Sequence, residues 1–175
     1  MFNKNKKTVT ESKEHYIIAE YKNYTTSLTG NEKTYIENRL INQIIWYDDS
    51  AIIKQNKYKH WTAASIVLTA IIPVISLYTS IFGIIASTLI AVLSGASSAI
   101  LSIINLCEYQ KLWIEYRSNC EILKSILHRY FLKVGEFASD NPEENLRLLI
   151  STSEEYMLKE FQTWTELSQP NKKEQ

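Results

Sequence analysis

Cysteine, proline and glycine are scarce in this 175-residue chain, at two, three and four residues. Cys107 and Cys120 stand 13 residues apart. Along one helix that is roughly 20 Å, well beyond the ~7 Å Cα separation a disulfide tolerates. Their spacing fits no zinc pattern, with only His128 near them, so they are expected to be reduced thiols in a cytosol-facing segment. With few glycines and prolines, little interrupts a helix. An excess of either charge is also missing: 19 basic residues balance 19 acidic ones. That excludes a strongly basic nucleic-acid-binding chain, and no nucleic-acid partner is expected. Catalytic motifs are absent as well. His15, His60 and His128 share no pattern, and there is no phosphate-binding loop, nucleophile elbow or HExxH zinc motif. The adjacent acids Asp48-Asp49 and Glu143-Glu144 would point about 100° apart on a helix. The expectation is therefore a non-enzyme with no cofactor or metal.

The largest absence is local. From Trp61 to Cys107 there is no Asp, Glu, Lys, Arg or His, a run of 47 residues in a chain that is 22% charged. One helical crossing of ~30 Å of hydrocarbon takes about 20 residues, so the run fits two spans, 61–79 and 84–107, with a turn at Thr79 to Gly83. The competing reading is a buried hairpin in a soluble bundle. It would need two successive helices without the charged face that soluble helices carry, and the membrane reading is preferred. Lys54, Lys57 and Lys59 precede the first span, Lys111 and Arg117 follow the second, and the turn carries no charge. By the positive-inside rule both termini are then cytoplasmic. Tyr58, Trp61, Tyr109 and Trp113 would mark the inner interface and Tyr78 and Phe82 the outer one. The start, Met1 to Thr8, is charged with no apolar stretch directly behind it, unlike a cleavable signal peptide.

The spans carry more than lipid-facing residues. Gly83, Ser87, Ala91, Gly95 and Ala99 recur every four residues in the second span, the close-approach pattern of packed membrane helices. They would pack either against the first span or between subunits. Beside them run Ser94, Ser98, Ser102 and Asn105, which either bond back to their own helix or line a water-filled path. Two helices cannot enclose a pore, so any path requires an oligomer. The first span has a looser stripe of Thr62, Ser65, Thr69, Ser76 and Ser80. Pro73 in its middle lacks a backbone donor and is expected to act as a hinge.

Outside the run, the periodicity predicts helices only. Residues 1–14 are polar and expected to be disordered, and His15 to Leu28 a short helix that Thr29-Gly30-Asn31 breaks. From Glu32, the spacing Ile36, Leu40, Ile44, Tyr47, Ile52 predicts a helix running into the first span. After the second span Tyr109, Leu112, Tyr116, Cys120, Leu123 and Leu127 keep the helical period to near Gly135. Asn141-Pro142-Glu143-Glu144 has the order of a cap, a first-position proline and first-turn acids, opening a helix to about Leu167. The tail, 169–175, is expected to be loose. The fold class is thus an all-α membrane protein: a two-span hairpin at 61–107, long cytoplasmic helical extensions at 15–60 and 108–168 with packed terminal helices, and an oligomeric state.

Two clusters flank the hairpin, Gln43-Ile44-Ile45-Trp46-Tyr47-Asp48 and Trp113-x-x-Tyr116-Arg117-x-x-x-Glu121-x-Leu123-Lys124. Asp48 lies 13 residues before Trp61 and Arg117 lies 10 after Cys107. At 1.5 Å per residue they match in depth to roughly 5 Å, so an Asp48–Arg117 ion pair is expected. With these motifs, an opening of spans near Ile72-Pro73, the Gly135-x-Phe137 step and the late Glu155 and Trp164, residues about 39–168 resemble the SLATT superfamily, in the branch known as domain of unknown function 4231. The resemblance implies a two-span protein of the bacterial inner membrane. It also implies a pore-forming effector in anti-phage conflict, encoded beside a nucleotide-signal sensor or synthase. Candidate pore-lining groups are then Ser94, Ser98, Ser102 and Asn105, with Asp48 and Asp49 as acidic groups of a cytoplasmic vestibule. The alternatives are a non-conducting adaptor whose cytoplasmic helices bind a partner, and a sensor of lipid packing.

Overall fold

The computed structural model describes residues 16–168, and side chains up to Lys159. The expected disordered start and loose tail lie outside the described residues. Helix α1 covers 16–25. α2 runs from Gly30 to Ser76 and includes a π turn over Ile36–Ile41. α3 is Thr79–Leu106, α4 is Tyr109–Phe131, and α5 is Pro142–Ser168, with a 3-10 turn at Gly135–Phe137 between the last two. Among the described residues there is no strand.

Local chemistry accounts for most of these limits. Gly30 opens α2 at φ +61 behind an extended Thr29. The Asn141 side-chain oxygen accepts from the Glu143 N–H at 3.1 Å, so Asn141 is the cap of α5, as its neighbours lead one to expect. α4 stops at Phe131, short of Gly135, because Lys133 already adopts φ +52 and the Val134 N–H turns back to the Arg129 carbonyl. The turn between the apolar helices is shorter and earlier than expected. α2 ends at Ser76 and α3 begins at Thr79. Helix geometry continues through Pro73, whose carbonyl accepts from the Ser76 hydroxyl at 2.7 Å. The marked break falls instead at Gly83, with φ 49 and ψ −118, a conformation glycine alone adopts without strain.

The chain divides into two compact units, one built from the described residues up to Trp46 and from Asn119 onward, the other being Tyr47–Ser118. The first has an ordinary aqueous core. Ile17, Tyr21, Ile36, Leu40, Ile44, Cys120, Leu123, Leu127, Phe137 and Leu149 are at most 2% exposed. They recur three or four residues apart on α2 and α4, the spacing of one buried helix face. Polar ties sit at the edge of this core. The Arg39 guanidinium donates from Nε and Nη2 to both carboxylate oxygens of Glu154 at 2.9 Å. The Tyr35 hydroxyl lies 2.7 Å from that of Ser153 and donates to Glu154 at 3.2 Å. Tyr156 donates to Asn119 at 2.6 Å, and Tyr130 to Glu32. Burial pushes the phenols of Tyr21, Tyr35 and Tyr130 above their usual range, and the Arg39 hydrogen bonds hold Glu154 below its own.

Candidate functional site: the apolar helix pair and its charged end

The second unit is built on the opposite principle. In the most apolar windows of the helical runs Gly30–Ser76 and Thr79–Phe137, 6% and 11% of the residues are buried. A core helix of a soluble protein would be mostly covered. Here Ile66, Val67, Ile84, Ile85 and Val92 are 58–83% exposed. Both helices are long and apolar enough to cross a membrane.

Between Trp61 and Leu106 the buried residues are Ser65, Ala86, Ser97 and Ile104, three of them small. On α3 the shielded positions are Ala86, Ile90, Leu93, Ser97, Ile100 and Ile104, alternating three and four residues apart, the seam of a left-handed helix pair. On the charge-free part of α2, from Trp61 to Ser76, the buried position is Ser65. Its hydroxyl lies 3.1 Å from that of Ser97, and the Thr69 hydroxyl lies 2.8 Å from the same oxygen. The three hydroxyls form an interhelical knot about two thirds of the way along α3. Such bonds contribute about 0.6 kcal/mol each on average in membrane proteins. Ser65 and Thr69 belong to the stripe visible in the sequence. Ser97 belongs to neither stripe counted on α3 and faces away from both, on the side of Ala86 and Ile104.

Those two stripes therefore occupy the other faces. Gly83, Ser87, Ala91, Gly95 and Ala99 are all exposed, and apart from its own stretch of helix backbone nothing lies within 4 Å of where a Cβ on Gly95 would be. The small-residue row is not the contact within the chain. Ser94, Ser98, Ser102 and Asn105 are exposed too, with the Ser102 hydroxyl bonded back to the Ser98 carbonyl at 2.9 Å. Among the described residues no three His, Cys, Asp or Glu side chains converge as a metal site would require.

Charge returns at the end where the chain leaves the apolar pair. Arg117 donates to Asp48 at 2.7 Å, with the Asp48 side chain 11% and the Arg117 side chain 50% exposed. The depth match along the two helices had anticipated this pair. It also means that the Asp48 carboxylate is neutralised by a partner. The Tyr47 and Tyr116 rings pack at 6.3 Å, and the ammonium groups of Lys54 and Lys57 each lie 5.8 Å from the centre of the Tyr109 ring. Trp113 has its indole N–H buried. Tyr47, Asp48, Trp113, Tyr116 and Arg117 thus fall in this unit, whereas Gln43, Trp46 and Glu121 fall in the other. α3 and α4 do not join smoothly here. Glu108 takes φ +44 and breaks the helix between Leu106 and Tyr109. At the far end, Ile75, Tyr78, Phe82, Ile85, Ala86 and Leu89 line a purely apolar hollow of about 320 Å³.

No curated protein and no solved structure matches the chain. A family model described as a protein of unknown function, DUF4231, matches residues 42–145, more than half of the sequence. The matched stretch takes in both apolar helices, the hydroxyl knot, and the Asp48–Arg117 and Tyr47–Tyr116 pairs, and the chain belongs to the DUF4231 family.

Proposed function

We propose that the protein is a homo-oligomeric pore of the bacterial inner membrane, with both termini cytoplasmic, that passes ions or small solutes when triggered. The observation that carries this reading is the division of faces on α3. The intrachain seam uses Ala86, Ser97 and Ile104, and it leaves a continuous row of small residues and a neighbouring row of hydroxyls outward. A helix that only anchored the chain would need neither row. The small row suits close approach of a second copy, and the hydroxyl row then lines the space between copies. The trigger would reach the pore through the cytoplasmic helices, with a nucleotide-signal sensor or synthase as the expected partner. Catalysis plays no part in this reading.

Flux from liposomes tests the proposal. Purified protein with its trigger should release a trapped ion or dye, and Ser98→Leu should change the rate. No release under any trigger would end the pore reading, and an unaltered rate in Ser98→Leu would remove the hydroxyl row from the path. The alternative, a non-conducting adaptor or sensor, draws on the exposed Tyr16, Trp46 and Leu158 of the first unit, which offer an apolar surface to a partner. Overproduction separates the two, since a pore depolarises cells and an adaptor does not.

A further inference from the structure

The helix break at Cys107 and Glu108 borders a cleft of about 580 Å³, of which Asn105 alone belongs to the small-residue and hydroxyl rows. Leu101 gives it an apolar wall, Thr62 lies in its lining, and Asn105, Glu108, Gln110 and Lys111 give it a polar mouth. Three features of the cleft belong together. Lys111 Nζ and a Glu108 carboxylate oxygen stand 3.4 Å apart, with both side chains about half exposed at 55% and 54%. An exposed pair of this kind holds its members weakly, so each can turn to a ligand at little cost. α4 begins here, and its Tyr109, Gln110 and Lys111 amides precede the first helical bond, Leu112 N–H to Glu108 carbonyl at 3.0 Å. Such first-turn donors carry partial positive charge. The Thr62 hydroxyl oxygen is buried and has no hydrogen-bond partner.

We infer that this cleft binds one phospholipid with an amine-bearing zwitterionic headgroup, phosphatidylethanolamine. The inference rests on the membrane placement proposed above, which sets the cleft at the inner headgroup level. The lipid phosphate faces the Lys111 ammonium, the Gln110 amide and the first turn of α4. The ethanolammonium donates to the Glu108 carboxylate and the Asn105 side-chain oxygen. An acyl chain follows Leu101 toward the bilayer centre. The order of charges selects the headgroup. Phosphatidylcholine carries a cation without N–H donors and cannot hydrogen-bond to Glu108. Phosphatidylglycerol carries no cation, so its glycerol hydroxyls offer Glu108 only neutral donors and leave the lipid phosphate's charge uncompensated on that side.

Native mass spectrometry of the purified full chain, with equimolar phosphatidylethanolamine, phosphatidylcholine and phosphatidylglycerol of matched acyl chains, reads the preference directly. The wild type should retain phosphatidylethanolamine about tenfold over the other two, the scale of one charge-assisted hydrogen bond. Glu108→Gln should bring phosphatidylethanolamine and phosphatidylcholine to within about twofold. Lys111→Gln should lower retention of all three, while Lys59→Gln, outside the cleft, should change nothing. Circular dichroism confirms that each variant keeps its helices. A wild type without headgroup preference, or a Glu108→Gln variant that retains it, overturns the inference. So does a Glu108→Lys change that alters the cross-linked dimer fraction while the lipid ratio stays flat, because the cleft would then belong to a second copy. A protein that alkaline carbonate strips from membranes would overturn the membrane placement instead.

Discussion

The first unit and the apolar helix pair of the second differ in what they leave exposed. In the first, Ile17, Leu40 and Leu127 are sealed from solvent while lysines and glutamates face out. In the second, Ser65 and Ser97 are 4% and 6% exposed while Ile84 is 83% exposed. Each arrangement is unfavourable in the other's solvent. Exposed isoleucine in water forgoes about 25 cal/mol per Å² of burial, and an unpaired hydroxyl in hydrocarbon costs several kcal/mol. One chain therefore follows two packing rules, and the second holds along the charge-free run from Trp61 to Cys107 inside the second unit.

The sharpest way to break that contrast is to carry charge into the second unit. Val92→Lys, on its outer surface and midway along α3, should disfavour insertion by about 2.5–3.5 kcal/mol, read as loss of the protein from carbonate-washed membranes. The same change would be harmless or helpful if water surrounded the helix. Next in size is a matched pair of truncations. Leu127→Ala should destabilise the first unit by about 2–5 kcal/mol, seen as a lower urea midpoint for that unit's unfolding, whereas Ile66→Ala should leave stability nearly unchanged because nothing in the chain covers it. A smaller effect is expected at the charged end. Arg117→Met leaves the Asp48 carboxylate shielded and without its guanidinium and should cost about 2 kcal/mol, between the values for exposed and buried pairs. Asp48→Asn leaves a half-exposed Arg117 that water can solvate, so it should cost less, and exchanging the two residues should restore assembly seen by size-exclusion in detergent.

The smallest effect concerns pH. Arg39 lowers the Glu154 pKa in the folded state. The stability it supplies is present above the unfolded carboxylate value of about 4.3 and is lost as pH falls through the folded value. Wild type and Arg39→Ala should therefore differ by about 0.5–1 kcal/mol near neutrality and converge below about pH 4, as thermal melts across that range would record. A gap that stays constant with pH would assign the effect of Arg39 to packing.

Much of the fold was legible because charge and period are coarse signals. The 47-residue gap located both apolar helices, and counting residues from its ends brought Asp48 opposite Arg117. What stayed hidden depends on which face of a helix meets which neighbour. A helix rich in small residues offers several acceptable seams, and only the structure selects Ala86, Ser97 and Ile104 over the row through Gly95. The break at Glu108 has no glycine or proline to announce it. The π turn at Ile36–Ile41 was equally silent, since one extra residue in a turn leaves an i, i+4 pattern readable on either side. Pro73 drew attention that the geometry gives to Gly83.

The charge-free turn at Leu77 and Tyr78 carries a consequence for how such a protein could be gated. Work done by a transmembrane potential scales with the charge displaced, about 2.3 kcal/mol per elementary charge per 100 mV. Between Trp61 and Cys107 there is no formal charge to displace. Placed across a bilayer, the tip and both helices could tilt, slide or separate without the field doing appreciable work on any side chain. A pore made from this hairpin would be electrically deaf, and its opening would have to be commanded by chemistry or by force arriving through its water-facing helices.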